Sequence, residues 1–486
     1  MLTGRPLQAA FLEPDAAAVA RVAGALRQKR IGVVAHYYMD PEVQGVLAAV
    51  RERGGWEHVH ISDSLVMADA AVAMAESGCA AVCVLGVDFM SENVRAILDG
   101  AGFAHVPVLR MAAEEIGCTL ADAADSEAYA AYLASAAAAG PGLHVVYINT
   151  SLHTKAAADE LVPTITCTSS NVVQTILQAA LQAPEAHVWF GPDTHMGGNL
   201  VKLFRLLAEG TDADVAEYHP GHTAASIRAL LPRLHHFRDG TCAVHDIFGG
   251  EVARLVGEGY GDAYISAHFE VPGAMFDLAM RAKRERGMGV VGSTKNILDF
   301  IRAKLDGALD AGAEPRDGPL QFVLGTETGM TTSIVEAVQG LLRARGSDLE
   351  VEIVFPVSSQ AITTPATAAG AVDFLGLEVL PGVPAGEGCS SEGGCASCPY
   401  MKMNSLAALQ AIADRVGTER EGELAPFAAR RYTELVGGLT LGEAGSRSIL
   451  CMRDFQKSGE LPQRLLDRVH AMEPGKKPGG HSAMAR

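Results

Sequence analysis

The chain has 486 residues, enough for several domains of ordinary size rather than one core. It carries 39 Lys+Arg against 57 Asp+Glu, a formal charge of −18 with no basic block to offset it, which excludes an affinity built on neutralising nucleic-acid phosphates. Hydrophobic residues make up 48% and charged residues 20%, a globular composition, and no apolar run approaches the length that spans a membrane.

In chain order, short apolar runs at 31–35, 80–85, 144–148, 187–190, 288–291, 321–324 and 351–355 read as strands. Ala/Leu-rich stretches alternate with them and read as helices, among them 15–29, 171–182 after a Cys-Thr-Ser-Ser-Asn turn, and 332–345 after Gly-Thr-Glu-Thr-Gly. This alternation predicts an α/β chain of parallel strands joined by crossover helices, with chemistry at the carboxyl ends of the strands. Weakly structured insertions are expected at 210–223 and 381–394, and the tail 474–486 reads as disordered. The opening MLTGRPLQAAFLEPD shows no basic region followed by a long apolar one, and a cytoplasmic protein is expected.

Nine cysteines are too dilute for a disulfide scaffold, so metal ligation, catalysis or simple burial must account for them. Cys118, Cys242 and Cys398 sit in polar or glycine-marked turns, too far apart for a local zinc knuckle. The local rival is Cys395-Ala-Ser-Cys398, preceded by Cys389, which alone suggests a redox pair or half a zinc site with His245 as a further ligand. Cys79, Cys83 and Cys451 lie in apolar surroundings and read as buried hydrophobes, and Cys167 as a pocket-lining residue.

A dozen short motifs then follow in a fixed order: His36-Tyr37-Tyr38, Asp63-Ser64, Gly86 to Glu92, Gly117-Cys118, Tyr147-Ile-Asn149 and Cys167-Thr-Ser169-Ser170-Asn171. They continue as Gly191-Pro-Asp193, Cys242-Ala-Val-His245, His268-Phe-Glu270, Gly292-Ser293-Thr294, Thr326-Glu327-Thr-Gly329 and Cys398 to Asn404. Over nearly the whole chain this order resembles the quinolinate synthases, iron–sulfur enzymes of de novo NAD biosynthesis.

The resemblance implies three doubly wound α/β domains around a pseudo-threefold axis: 1–107 with 398–486, 108–230, and 231–397. Each would give one cysteine, Cys118, Cys242 or Cys398, to a central [4Fe–4S] cluster. It implies condensation of iminoaspartate with dihydroxyacetone phosphate, losing phosphate and water, with an L-aspartate oxidase or dehydrogenase as a partner supplying the imine. His36 and Tyr38 resemble the pair that orients substrate and shuttles protons, a task that suits a histidine titrating near neutrality. His268 and Glu270 resemble a second acid/base pair in which the carboxylate fixes the imidazole or takes a proton. Tyr147 and Asn149 resemble residues that contact the cyclising intermediate, and Ser64, Ser169, Ser170, Asn171, Ser293 and Thr294 an anion-binding set. The family's His-Pro-Glu-Cys is here His268-Phe269-Glu270-Val271, which lifts the proline's backbone restriction. Extra residues lie between His36 and Ser64, between Asp193 and Cys242, and before Cys398. Two rival readings are a [4Fe–4S] hydro-lyase and an iron–sulfur sensor or small-anion binding module.

Overall fold

The structure, a computed structural model, describes residues 14–313, 318–327, 329–358, 372–374, 377–379, 398–436 and 438–472. Cys389, Cys395, the stretch 381–394 and the tail 474–486 lie outside the described residues. The chain folds as two compact units: Met1–Val87, Ala101–Ile116 and Ala243–Ala429 in one, Asp88–Gly100, Gly117–Cys242 and Arg430–Arg486 in the other.

The first unit holds two four-stranded parallel sheets. One is built from β1 (Ile31–His36), β2 (Val59–Ser62), β3 (Ala81–Leu85) and β4 (Val108–Arg110), in the order β2-β1-β3-β4. The second unit carries β5 (Gly142–Tyr147), β6 (Thr164–Cys167), β7 (His187–Gly191) and β8 (Leu234–His236), in the order β6-β5-β7-β8. The first unit's other sheet contains β9 (Tyr264–His268), β10 (Gly289–Gly292), β11 (Leu320–Gly325) and β12 (Val351–Val354), in the order β10-β9-β11-β12. One plan therefore recurs three times among the described residues, with the first strand always interior between the second and the third.

The registers match as well. His36 lies opposite Ser62, Tyr147 opposite Cys167 and His268 opposite Gly292, so these three residues end the interior strand of their sheets at equivalent places. Interior parallel strands are covered on both faces and read as continuous apolar runs, as β1 and β5 do. In the first unit, two crossovers begin with a helix capped straight after the second strand. The Asp63 carboxylate accepts from the Leu65 and Val66 N–H groups, and Ser293 Oγ accepts from Asn296 N–H.

All seven expected strands are present, but β2, β4, β6, β8 and β9 were not foreseen. The polar side chains that disguised them are satisfied inside: Thr166 Oγ1 pairs with Ser448 Oγ at 2.8 Å, and Ser266 Oγ donates to the Val323 carbonyl at 2.9 Å. The stretch 210–223, expected to be weakly structured, contains the helix Asp212–Ala216. Capping boxes at Thr211/Asp214 and Thr223/Ser226 bracket it, because the residues that favour turns also favour caps. The division that put all of 398–486 with the first sheet is corrected too. Within the second unit the helix Leu441–Ser458 packs on the helix Leu152–Leu161 so closely that a Cβ on Gly445 would stand 2.2 Å from the Leu152 carbonyl oxygen. No helix among the described residues is long and apolar enough to cross a membrane.

Candidate active site

In the first unit the carboxyl ends of β1 and β9 carry the same local device. The main-chain N–H of Tyr38 donates to Nδ1 of His36 at 3.2 Å, and that of Glu270 to Nδ1 of His268 at 3.3 Å. Each bond makes Nδ1 the acceptor, so each neutral ring carries its proton on Nε2. Burial pulls the His36 imidazole down to about 4, against an upward pull from Glu270. It pulls His268 down to about 3, with Glu270 opposing and His245 and His36 adding to the fall. Burial thus opposes charging of both rings, where the sequence raised for His36 a histidine titrating near neutrality.

Glu270 does not chiefly serve His268, as the sequence suggested. Its Oε1 is 3.8 Å from Nδ1 of His268, whereas its Oε2 is 2.9 Å from Nδ1 of His245. A carboxylate accepting from Nδ1–H leaves Nε2 of His245 as the basic nitrogen. His245 stacks on His268 with ring centroids 4.7 Å apart, and its centroid is 6.3 Å from that of Tyr38. Tyr38 packs edge-on against His36 at 4.5 Å and its hydroxyl lies 3.3 Å from Thr294 Oγ1. His36, Tyr38, His245, His268, Glu270 and Thr294 are thus one cluster. A surface ion pair, the plain alternative for His268 and Glu270, is ruled out because both are buried. Phe269, which stands between His268 and Glu270, packs toward Phe276 with ring centroids 6.4 Å apart.

The helix N-termini nearby share the proposed anion-binding set unevenly. Ser64 is buried in the first turn of the helix that Asp63 caps. Ser293 Oγ takes part in the cap, donating to Asn296 Oδ1 at 2.7 Å.

In the second unit, Tyr147 is buried at the end of β5 and Asn149 half-buried just beyond it. After β6, Ser169 and Ser170 are half-buried and Thr168 Oγ1 lies 2.7 Å from Ser170 Oγ. Asn171 Oδ1 accepts from Thr168 N–H at 2.8 Å, while its buried Nδ2 has no hydrogen-bond partner among the described residues. Such a donor, at the start of the helix Val172–Gln182, is suited to a carboxylate or phosphate oxygen.

Lys155 went unnoticed in the sequence. It is 0% exposed, and Nζ donates to the Ile148 carbonyl at 3.1 Å and to the Thr150 carbonyl, the two that flank Asn149. Burial lowers its ammonium to about 7, with Glu92 and Asp125 opposing. Its signal was the alternation of Thr-Ser-Leu-His-Thr-Lys after a strand, which gives no hint of burial.

The described cysteines divide sharply. Cys79, Cys83, Cys167 and Cys451 are buried, and burial pushes Cys79 up to about 11 and Cys83 to about 12, poor conditions for a thiolate. Cys118, Cys242 and Cys398 are half-buried. In the second unit Thr119 Oγ1 donates to the Thr241 carbonyl at 2.9 Å, which draws the neighbours of Cys118 and Cys242 together. Accessible thiols in polar turns fit a thiophilic metal group; the four buried ones do not.

A model of the family described as Quinolinate synthetase A protein matches residues 20–340. The chain is 55% identical over 468 residues to a chloroplastic quinolinate synthase of Nicotiana tabacum, covering 95% of this chain and 64% of that protein. It is 54% identical to the chloroplastic quinolinate synthase of Oryza sativa subsp. japonica, covering 95% of this chain and 66% of that protein. For that of Arabidopsis thaliana the identity is 54%, over 96% of this chain and 65% of the relative. The chain thus spans just under two thirds of the length of these relatives. Their names also correct the expectation of a cytoplasmic protein, since all three are chloroplastic.

Proposed function

The chain belongs to the quinolinate synthetase A family, and from that premise we propose that it condenses iminoaspartate with dihydroxyacetone phosphate to quinolinate, releasing phosphate and water. The observation that carries the proposal is the buried cluster at the ends of β1 and β9, where two imidazoles present N–H donors and a third presents a base.

That complement suits the reaction. Moving a carbonyl along a three-carbon chain requires a proton to leave one carbon while another reaches an oxygen. His36 and Tyr38 bind and orient the carbonyl and hydroxyl oxygens, and His268 donates from Nε2 to a developing negative charge. The Glu270–His245 pair takes and returns protons, with the carboxylate stabilising the imidazolium that forms. Tyr147 and Asn149 hold carboxylate or carbonyl oxygens of the cyclising intermediate. Ser169, Ser170 and Asn171, with Ser64 and Thr294, supply neutral donors for anionic substrates, which a chain of charge −18 does not attract through its overall field. Ser293 supports them as a cap.

We assign Cys118, Cys242 and Cys398 as ligands of a [4Fe–4S] cluster, on the support of their accessibility and motifs. When bound, a cluster with three thiolate ligands supplies an iron open to substrate, a Lewis acid for dehydration without net redox change. The three sheets of one order are read as three related α/β domains.

The deciding experiment supplies iminoaspartate and dihydroxyacetone phosphate to the anaerobically reconstituted chain and assays quinolinate. Product formation is expected. A chain that holds its cluster and makes no quinolinate would leave a simple hydro-lyase or a sensor as the better reading.

A further inference from the structure

The turn Thr326-Glu327-Thr-Gly329, which follows β11, has no part in the chemistry above, yet it contains a fully buried carboxyl. Glu327 is 0% exposed. Its Oε1 accepts a hydrogen bond from the main-chain N–H of Cys398 at 3.1 Å, and the main-chain N–H of Gly329 also faces the carboxyl. A carboxyl held so deep is costly, and an apolar residue of similar size would fill the space without that cost. What the apolar residue could not do is hold Cys398 by its main chain.

The same turn reaches the Tyr38 turn from its other side. A Cβ on Gly329 would stand 2.6 Å from Cα of Tyr38, so only glycine allows this approach. The side-chain amide of Gln44 donates to the carbonyls of Tyr37 at 2.8 Å, Met39 at 2.6 Å and Gly329 at 3.0 Å. Ser333 Oγ in turn donates to Gln44 Oε1 at 3.2 Å and fixes the amide's orientation. All these residues belong to the first unit.

We propose that Glu327 is a positioning residue that fixes the main chain at Cys398, and that Gln44 ties this turn to the one bearing Tyr38. The inference rests on Cys398 being a cluster ligand. A partner one bond removed from a ligand sets how firmly the metal group is held, commonly by about 10- to 100-fold.

The test uses the full chain, reconstituted anaerobically, and follows the rate of iron loss to a ferrous chelator. Glu327→Ala should lose iron about tenfold faster than the unmodified chain. Glu327→Gln keeps an acceptor oxygen and should restore slow loss. Equal rates in all three, or a Gln variant as fast as the Ala variant, overturn the proposal. Gln44→Leu should leave iron retention unchanged and lower kcat; an unchanged kcat overturns the tie to Tyr38. Should Glu327→Ala not fold, amide exchange at Cys398 in the unmodified chain decides: strand-like protection is expected, and solvent-like exchange overturns the bond. If instead Cys398→Ser retains iron like the unmodified chain, it is the ligand assignment that has failed.

Discussion

Nδ1 of His245 lies 2.9 Å from Oε2 of Glu270, and both side chains are buried. The bond gives His245 a tautomer opposite to that of His36 and His268, so one cluster offers both proton donors and a proton acceptor. Glu270→Gln preserves shape while removing the charge that stabilises the imidazolium. We expect kcat for quinolinate formation to fall by roughly 10²- to 10⁴-fold with a smaller change in KM. Steady-state kinetics in which KM rises and kcat holds would assign Glu270 to binding instead.

Serine replacement should separate the cysteines by their exposure. Cys118→Ser, Cys242→Ser and Cys398→Ser are each expected to abolish a load of about four iron and four sulfide per chain. Cys83→Ser, at a thiol pushed up to about 12 by burial, should leave that load intact. So should Cys395→Ser. Iron and sulfide analysis after anaerobic reconstitution reads all five, and a Cys395 variant without cluster would shift the assignment within the C-x-x-C.

Lys155 braces the turn that bears Asn149. Lys155→Met keeps the length of the side chain but strands the Ile148 and Thr150 carbonyls in the interior. The cost should be about 1–3 kcal/mol per stranded group. Thermal unfolding should register it, together with a raised KM as Asn149 loosens. A variant as stable as the parent, with an unchanged KM, would show that the ammonium holds nothing.

Acid should weaken the fold before it reaches the carboxylates. His36 and His268 have folded values of about 4 and about 3, against an ordinary 6.5, because burial disfavours the charged ring. Below pH 6.5 the unfolded chain takes up protons that the folded chain refuses, so stability falls as pH drops. The loss per histidine is roughly 1.4 kcal/mol for each pH unit until the folded value is reached. Denaturant unfolding between pH 7 and pH 4.5 measures the slope. His36→Gln should flatten it, and an unchanged slope would mean that the ring is already charged or solvated.

Much of this was legible in the sequence because interior parallel strands are largely apolar. β1 and β5 announce themselves, and the motifs that end them carry the resemblance. β9, Tyr-Ile-Ser-Ala-His, did not, since Ser266 is satisfied only by a carbonyl of β11, far along the chain. The same distance in sequence hid the pairing of Glu270 with His245, which Cys242-Ala-Val-His245 hinted at as a metal ligand and nothing more. Lys155 and Glu327 drew no reading from the sequence for a related reason: charge in a sequence suggests water, and only tertiary contacts reveal that a polar side chain has been withdrawn from it. The capping role of Ser293 was readable from its spacing to Asn296, but a cap and an anion-binding hydroxyl look alike until their partners are seen.

The threefold recurrence of one strand order has a consequence for how such a chain can grow. The crossover from β7 to β8 has lengthened to include the helices Asp212–Ala216 and Ala224–Leu230, while Tyr147 and Cys167 keep the register that His36 and Ser62 have in another sheet. Reactive groups sit where strands end, and added length is lodged in a crossover's own capped helices. A protein built this way can lengthen on its outside through insertion after insertion and still leave the reading frame of its chemistry unshifted.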